Sequence, residues 1–268
     1  FSSSSEFNQD IGSWDVSKVT SFYFMFGAPA PTSTITGSFN NGGSPSINNW
    51  NISSASNMSS MFQYQINFNQ PIGSWSMGNV TDTSYMLNVA SNTRFAGGTF
   101  NQPIGNWDLS KVTNAQFMMN GQALFDQNVG NWNLSKLVTA SGMFKMLGPP
   151  YPSAIFNNGG SDSIRNWSMV SASLINGMFE NAYGFNQPVD NWNISNVTNA
   201  SSFMGTKSNL NYSSTNYDAL LIGWASRPVK PNVSINFNTI QYTAAASASR
   251  AILTSSPNNW TIADGGQI

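Results

Sequence analysis

The strongest constraint on the fold is an internal repeat marked by regularly spaced tryptophans. The segment Phe100–Thr113 reads FNQPIGNWDLSKVT, and it recurs with small changes from Phe7, Phe68, Phe125 and Phe185. Two further copies that carry four extra residues bring the number of units to seven. We number the units 1 to 7 by their tryptophans, which are Trp14, Trp50, Trp75, Trp107, Trp132, Trp167 and Trp192.

The length of the unit follows from the tryptophan spacing. Successive tryptophans are separated by 36, 25, 32, 25, 35 and 25 residues. The unit is therefore 25 residues long, and every second junction carries an insertion. The inserted segments 27–38, 88–99 and 147–154 are rich in Gly, Pro, Ser and Thr, which is typical of loops. We expect these paired insertions to protrude from one region of the molecule.

Each unit has apolar residues at fixed places. An Ile or Val stands three residues before the Trp and an apolar residue two after it, and this alternation predicts a short strand. Further on, Val112, Ala115, Met118 and Met119 fall at helical spacing. One strand and one helical segment in 25 residues cannot bury an apolar face alone, so the units should stack. The sequence predicts an α/β repeat solenoid.

Two kinds of side chain should stack along such an array. The tryptophans and phenylalanines, with one of each in every unit, are predicted to form the core. The Asn that follows Phe in several units is predicted to bond turn backbone rather than a ligand. Its copies include Asn8, Asn69, Asn101 and Asn186.

The composition changes after the seventh unit. We assign residues 1–206 to the repeat solenoid and 207–268 to a C-terminal capping segment. Within the second part, 217–225 and 243–254 have helical character, whereas 233–237 and 260–262 alternate like strands. Terminal units of a stack must cover an exposed apolar layer, and we expect this segment to do so.

Charge and composition exclude several partners. Only 8% of residues are charged and the net charge is −1, so no electrostatic footprint for nucleic acid is present. No apolar run approaches the ~20 residues that span a bilayer, and we expect no membrane insertion. The exterior should instead be neutral and rich in amides and hydroxyls.

Catalysis is not expected. The sequence has no His and no Cys, which removes the commonest general base and most zinc sites. Asp15 and Asp108 occupy equivalent positions three units apart, about 14 Å at strand spacing, which is too far for a glycosidase pair. We therefore predict no enzyme activity, no cofactor and no metal site.

Two surfaces are candidates for binding. Residues on either side of each Trp should point away from the core and form outward columns of small polar groups. The competing site is formed by the insertions 27–38 and 88–99, the second of which contains Arg94 and Phe95. The alternative for the columns is that they are only the solvated face of the sheet. The candidate column residues are Asp15, Asn51, Ser76, Asn106, Asp108, Asn131, Asn133, Ser168 and Asn193.

The repeat resembles a family of bacterial surface proteins. Residues 7–204 match the pattern FNQxIxxWDVSxVTxMxxMF of the BspA-like 25-residue repeats, which are related to leucine-rich repeats. The resemblance implies a leucine-rich-repeat-like solenoid on an extracellular or cell surface, or alternatively on a virion surface. It also implies adhesion-type roles and no catalytic residues.

Two functions from different classes are compatible with these observations. The first is a non-catalytic extracellular surface or adhesion module that binds a glycan or a protein partner. The alternative is a structural subunit or decoration of a filament, fibre or virion, with neighbouring copies as partners.

Overall fold

The computed structural model describes residues 6–28, 37–89, 97–148 and 154–268. The described α-helices and β-strands all lie after residue 213: α1 is Ser214–Ala225, β1 is Ser234–Asn236, α2 is Ser247–Thr254 and β2 is Thr261–Ala263. β1 and β2 pair in parallel, with Ile235 opposite Ile262. Short 3₁₀ helices are found at Asn41–Gly43, Pro45–Asn49, Asn158–Gly160, Asp162–Asn166 and Ala244–Ala246.

The predicted architecture of one strand and one helical segment per unit is wrong, and with it the leucine-rich-repeat-like α/β solenoid. In the described residues of units 1 to 7, turns replace both elements, apart from 3₁₀ helices in units 2 and 6. These 3₁₀ helices form where the two longer copies carry their extra residues. The four residues that make those copies longer therefore have a structure of their own.

The predicted strand fails because its backbone groups bond locally. In unit 4 the N–H of Trp107 donates to the carbonyl of Ile104 at 3.2 Å, and the N–H of Val112 donates to Leu109 at 2.9 Å. A strand needs these groups for pairing with a neighbouring strand. The alternation of buried and exposed side chains is real, but it belongs to two consecutive turns.

The predicted helix fails because one residue has left-handed backbone geometry. Phe117 has φ 53°, which an α-helix does not contain. Met118 and Met119 are buried at the expected spacing. The backbone N–H groups of alternate residues, however, donate to the next unit instead of to the preceding turn. The donors Ala115, Phe117, Met119 and Gly121 bond the carbonyls of Thr139, Ser141, Met143 and Lys145 at 2.9–3.0 Å.

Equivalent bonds hold all seven units in register. Each pair of adjacent units forms at least three such N–H donations in the same direction, and one isolated parallel bridge per unit fixes the alignment. The bridges run Ser21, Asn57, Asp82, Asn114, Thr139, Leu174 and Asn199.

The core is a double column of aromatic rings, as predicted. Trp50, Trp75, Trp107, Trp132, Trp167 and Trp192 are at most 4% exposed, whereas Trp14 is 38% exposed. One phenylalanine of each unit stacks on its equivalent in the next at 5.8–6.1 Å between ring centroids. Each of the six buried indoles also donates its N–H to a carbonyl of the preceding unit. The acceptors are Ile11, Ile47, Ile72, Ile104, Val129 and Ile164, at 2.9–3.1 Å.

The predicted asparagine ladder is confirmed. The side-chain oxygen of Asn69 accepts the backbone N–H of Asn101 at 2.9 Å, and Asn101 in turn accepts from Asp126 at 3.0 Å. Asp126 takes the same role in unit 5 by accepting from Asn157 at 2.7 Å. The side chains therefore satisfy turn donors that no strand partner reaches.

The C-terminal helices and strands lie where the sequence predicts them. Helix α1 continues both the tryptophan column and the asparagine ladder. Trp224 donates its indole N–H to the carbonyl of Val189 at 3.1 Å, and the backbone N–H of Ser213 donates to the side-chain oxygen of Asn186 at 2.9 Å. Tyr212 stacks on Phe185 with 6.4 Å between centroids. The boundary at residue 206 stays a prediction, and Ala200 already bridges to Ile235 beyond it.

The tryptophan column generates a stability prediction. We expect Trp107→Ala to lower the free energy of unfolding by about 3–5 kcal/mol through lost burial and a residual cavity. Trp107→Phe should cost about 1–3 kcal/mol, since it removes the indole donor of the Ile72 carbonyl, which then keeps only the N–H of Trp75 at 3.3 Å. Denaturant unfolding measures both changes. Trp14→Ala is the matched control, and equal losses in all three variants would contradict the proposed column.

Candidate functional site

The predicted column residues are on the surface. Asn193 is half-buried, and the other described candidates are exposed: Asp15, Asn51, Ser76, Asn106, Asp108, Asn131, Asn133 and Ser168. Arg94 and Phe95 lie outside the described residues, as does most of the insertion that contains them.

Five of these side chains stabilise their own turn. The side-chain Oδ1 atom of each accepts the backbone N–H of the residue two positions later, at 3.0–3.1 Å, which fixes the orientation of the side chain. The donor in each bond is the serine two positions later. In a helical segment this serine would be the N-cap residue. The five are Asp15, Asn51, Asp108, Asn133 and Asn193.

These turns leave a hydrogen-bonding group toward solvent. In Asn51, Asn133 and Asn193 the Oδ1 atom is occupied, while the Nδ2 amide has no partner among the residues that the structure describes. Hydrogen bonds from the side chain and backbone of Ser17 lower the pKa of Asp15, and those from Ser110 lower the pKa of Asp108. The column thus offers oriented amide donors interspersed with ionised carboxylates.

Asn106 and Asn131 belong to a groove beside this column. One depression of about 330 Å³ lies between units 2 and 4, and a second of about 260 Å³ lies between units 4 and 5. They share Pro103 and Asn106, so the two form one shallow groove along the stack. The remaining lining residues are Asn48, Pro71, Gly73 and Ser74 in the first, and Gly105, Gln127, Asn128 and Asn131 in the second.

Glycine lets adjacent units approach at the floor of this groove. A Cβ atom on Gly73 would lie 2.2 Å from the carbonyl oxygen of Pro103, and one on Gly105 would lie 2.3 Å from that of Asn128. Backbone therefore packs against backbone here. The Gly of the FNQPIGNW phrase is a packing requirement of the stack.

A second surface was missed from the sequence. This surface is formed by the residues equivalent to Phe117 in the seven units. Each has left-handed backbone geometry, with φ between 51° and 60°. Aromatic side chains occupy it in part, and the rings of Tyr85 and Phe117 lie 5.2 Å apart. In units 5 and 6 glycine replaces them. The full series is Phe24, Ser60, Tyr85, Phe117, Gly142, Gly177 and Ser202.

A pocket of about 140 Å³ lies where Gly142 and Gly177 occupy this position in two successive units. Lys145 and Glu180, at equivalent positions of units 5 and 6, form an ion pair of 2.8 Å at its side. The sequence signal was the pair of matched phrases SGMFK and NGMFE, in which opposite charges occupy one register. The pocket is lined by Phe117, Gly142, Lys145, Asn176, Gly177, Glu180, Ser201 and Ser202.

Lys207 is a buried cation beneath the last unit, and the sequence did not single it out. Its ammonium donates to the carbonyls of Ala182 and Phe185, the latter at 2.7 Å, and lies 5.7 Å from the ring centroid of Phe185. Burial lowers the pKa of Lys207 to about 7. In an earlier unit a buried glutamine donates to a backbone carbonyl in the same way: the side-chain amide of Gln122 donates to the carbonyl of Leu87 at 2.6 Å.

Within 6–28, 37–89, 97–148 and 154–268, no three His, Cys, Asp or Glu residues cluster as a metal site would require. The helices found in those ranges are too short or too polar to cross a bilayer.

Comparison with known families gives one match. A family model described as "Mycoplasma protein of unknown function, DUF285" matches residues 1–40, 32–153, 92–218 and 152–236. These matches together span most of the chain, so the protein belongs to this family. No curated protein and no solved structure matches the chain.

Lys207 generates a prediction about pH. Its folded pKa of about 7 lies below the ordinary value of 10.5, so between these values the unfolded chain binds the additional proton. The stability contributed by the neutral amine is therefore complete above 10.5, falls progressively as the pH drops from 10.5 to 7, and is absent below 7.

We expect Lys207→Gln to remove this dependence. The variant should gain most over the wild type below pH 7, and its advantage should shrink as the pH rises toward 10.5. Denaturant unfolding of both proteins at several pH values measures the difference. Lys136→Gln is the control, because Lys136 is exposed. A difference between variant and wild type that is constant with pH would contradict the assignment.

Proposed function

We propose that this protein is a non-catalytic surface module that binds a glycan or a protein through the polar side of its stacked repeats. The observation that carries the proposal is the outward column of oriented side chains beside the groove at Pro103 and Asn106. The oriented Asp or Asn recurs in units 1, 2, 4, 5 and 7, and units 3 and 6 carry Ser76 and Ser168 at the same position. Such a surface suits an extended polymer or a flat partner better than a small molecule.

Charge supports a neutral or weakly charged partner. The chain has ten basic and eleven acidic residues, and three of the basic side chains are engaged in ion pairs with Glu180, Asp190 and Asp264. Recognition would therefore rest on hydrogen bonds and shape rather than on long-range attraction. A protein partner and a glycan both satisfy this condition.

The resemblance to BspA-like repeats supports an extracellular or cell-surface location. The matching family model is described only as a Mycoplasma protein of unknown function, and this description is compatible with such a location. A virion surface is the alternative location, because the same repeat pattern is compatible with it.

The second candidate is a structural subunit of a filament, fibre or virion. One observation favours it: Trp14 is 38% exposed, whereas its equivalents in the next six units are at most 4% exposed. A neighbouring copy could cover the exposed part of this indole. Light scattering at high protein concentration tests this, and a strictly monomeric species would exclude assembly through Trp14.

Substitutions in the column and in the insertion separate the two candidate binding surfaces. We expect the triple change Asn106→Ala, Asp108→Ala and Asn133→Ala to lower binding by about tenfold or more, because it removes groove and column groups from two adjacent units. The thermal midpoint should fall by only a few degrees, as exposed turn caps contribute about 1 kcal/mol each.

The matched variant changes Arg94 and Phe95 to Ala. Both proteins would be measured on a glycan array and on a panel of purified surface proteins. Binding that survives the triple change and disappears in the Arg94 and Phe95 variant would assign recognition to the insertion. Absence of any binding by the wild-type protein in both formats would contradict the proposed function.

A further inference from the structure

The pocket between units 4 and 7 is created by glycines at a position where other units carry a side chain. The backbone geometry there does not demand glycine, since Tyr85 and Phe117 adopt φ 56° and 53° at the equivalent place, close to the 60° of Gly142 and Gly177. Packing does not demand it at Gly177 either. An added Cβ atom there would meet only the Glu180 Oε2 atom, at 3.2 Å.

Gly142 and Gly177 therefore have different roles. At Gly142 the ring of Phe117 lies across the backbone, with its nearest carbon 2.2 Å from the place that a Cβ atom would take. Glycine here accommodates the ring, which forms one wall of the pocket. At Gly177 no side chain fills the space, which forms the floor of the pocket.

The polar groups around this floor include both donors and acceptors. Asn176 accepts a hydrogen bond from the Ser141 hydroxyl at 2.7 Å through Oδ1, which leaves its Nδ2 amide as a donor. The hydroxyls of Ser201 and Ser202 have no partner among the described residues. The Lys145 and Glu180 side chains are 34% and 24% exposed, so each can still bond a ligand.

The charges at the pocket compensate each other. Lys145 and Glu180 bond one another at 2.8 Å, and no other charged side chain lines the cavity. A charged ligand that one member attracts is repelled by the other, whereas a neutral ligand with several hydroxyls could bond both members while they stay together. The volume of about 140 Å³ is suited to one six-membered ring.

We infer that this pocket binds a single pyranose unit of a neutral glycan. The apolar C–H face of the sugar packs against Phe117, while its hydroxyls bond Asn176 and the ion pair. The remainder of the glycan lies outside the pocket along adjacent units. The inference rests on the proposed binding function and names the ligand class and the place where that ligand is anchored.

Titration with monosaccharides tests the pocket directly. The probes are the methyl glycosides of D-glucose, D-galactose, D-mannose and N-acetyl-D-glucosamine, at concentrations up to the order of 50 mM. Amide chemical shifts of Gly142, Gly177, Ser201 and Ser202 report binding by NMR. We expect at least one glycoside to shift these amides with a Kd on the order of 1 mM, as suits a ligand of this size.

Two variants distinguish the pocket from the rest of the surface. Gly177→Phe should weaken that binding by more than about tenfold, because it fills the floor with a side chain that the equivalent backbone already carries in Phe117. Tyr85→Ser is the matched control at the same place in unit 3, and its Kd should change by less than about twofold. Thermal unfolding checks that both variants are folded.

Should Gly177→Phe fail to fold, Asn176→Ala and Glu180→Gln provide the same test from the polar side. The inference is overturned if no glycoside shifts the four amides, or if the shifts persist in the pocket variants. A peptide or a simple ion that shifts them when no glycoside does also overturns it. If the pocket is silent but the triple change in the column abolishes binding, this inference falls while the proposed function stands.

Discussion

The whole structure depends on one hydrogen bond, from the indole N–H of each buried Trp to a carbonyl of the preceding unit. The bond satisfies a carbonyl that no strand partner reaches, and it places the indole flat against the indole of the adjacent unit. Trp107 and Trp132, for example, stack with 6.5 Å between centroids. Because a tryptophan can make this contact only in one alignment, the same interaction drives burial and fixes register. This register also aligns the phenylalanine column, the asparagine ladder and the turn bonds.

The sequence predicted what depends on side chains and failed on what depends on backbone. Trp, Phe and Asn recur at one position in each unit, and a residue type that recurs in a stack must contact its own copies. The residue types in the sequence do not show which acceptor each backbone N–H group bonds. At Phe117 a left-handed φ turns the N–H toward the next unit, and nothing in the identity of a phenylalanine announces this. Helical spacing of Val112, Ala115 and Met118 was therefore compatible with turns that contain no helix.

The same difference between side-chain and backbone features applies to the candidate surfaces. Alternation around Trp correctly placed Asn106, Asp108 and Asn133 on the exterior, because each neighbours a buried indole in sequence. Their turn bonds could not be foreseen while a strand was expected. The pocket at Gly177 was missed because it is defined by the lack of a side chain, which only comparison with Tyr85 and Phe117 in the folded stack makes meaningful. The four predicted elements of the C-terminal segment, by contrast, have ordinary helix and strand periodicity.

The common direction of the bonds between units has an electrical consequence. Most backbone N–H groups that cross an interface point toward the following unit, as those of Ala115, Phe117 and Met119 do. Their peptide dipoles add along the stack, as they do along an α-helix, and a smaller number of bonds in the reverse direction, such as those of Thr113 and Asn114 to Thr81, oppose them in part. Each interface is consequently polar, with most of the donating N–H groups on the earlier unit and most of the accepting carbonyls on the later one. A unit can therefore join such an array in one orientation only, because a reversed unit would set carbonyl against carbonyl or N–H against N–H.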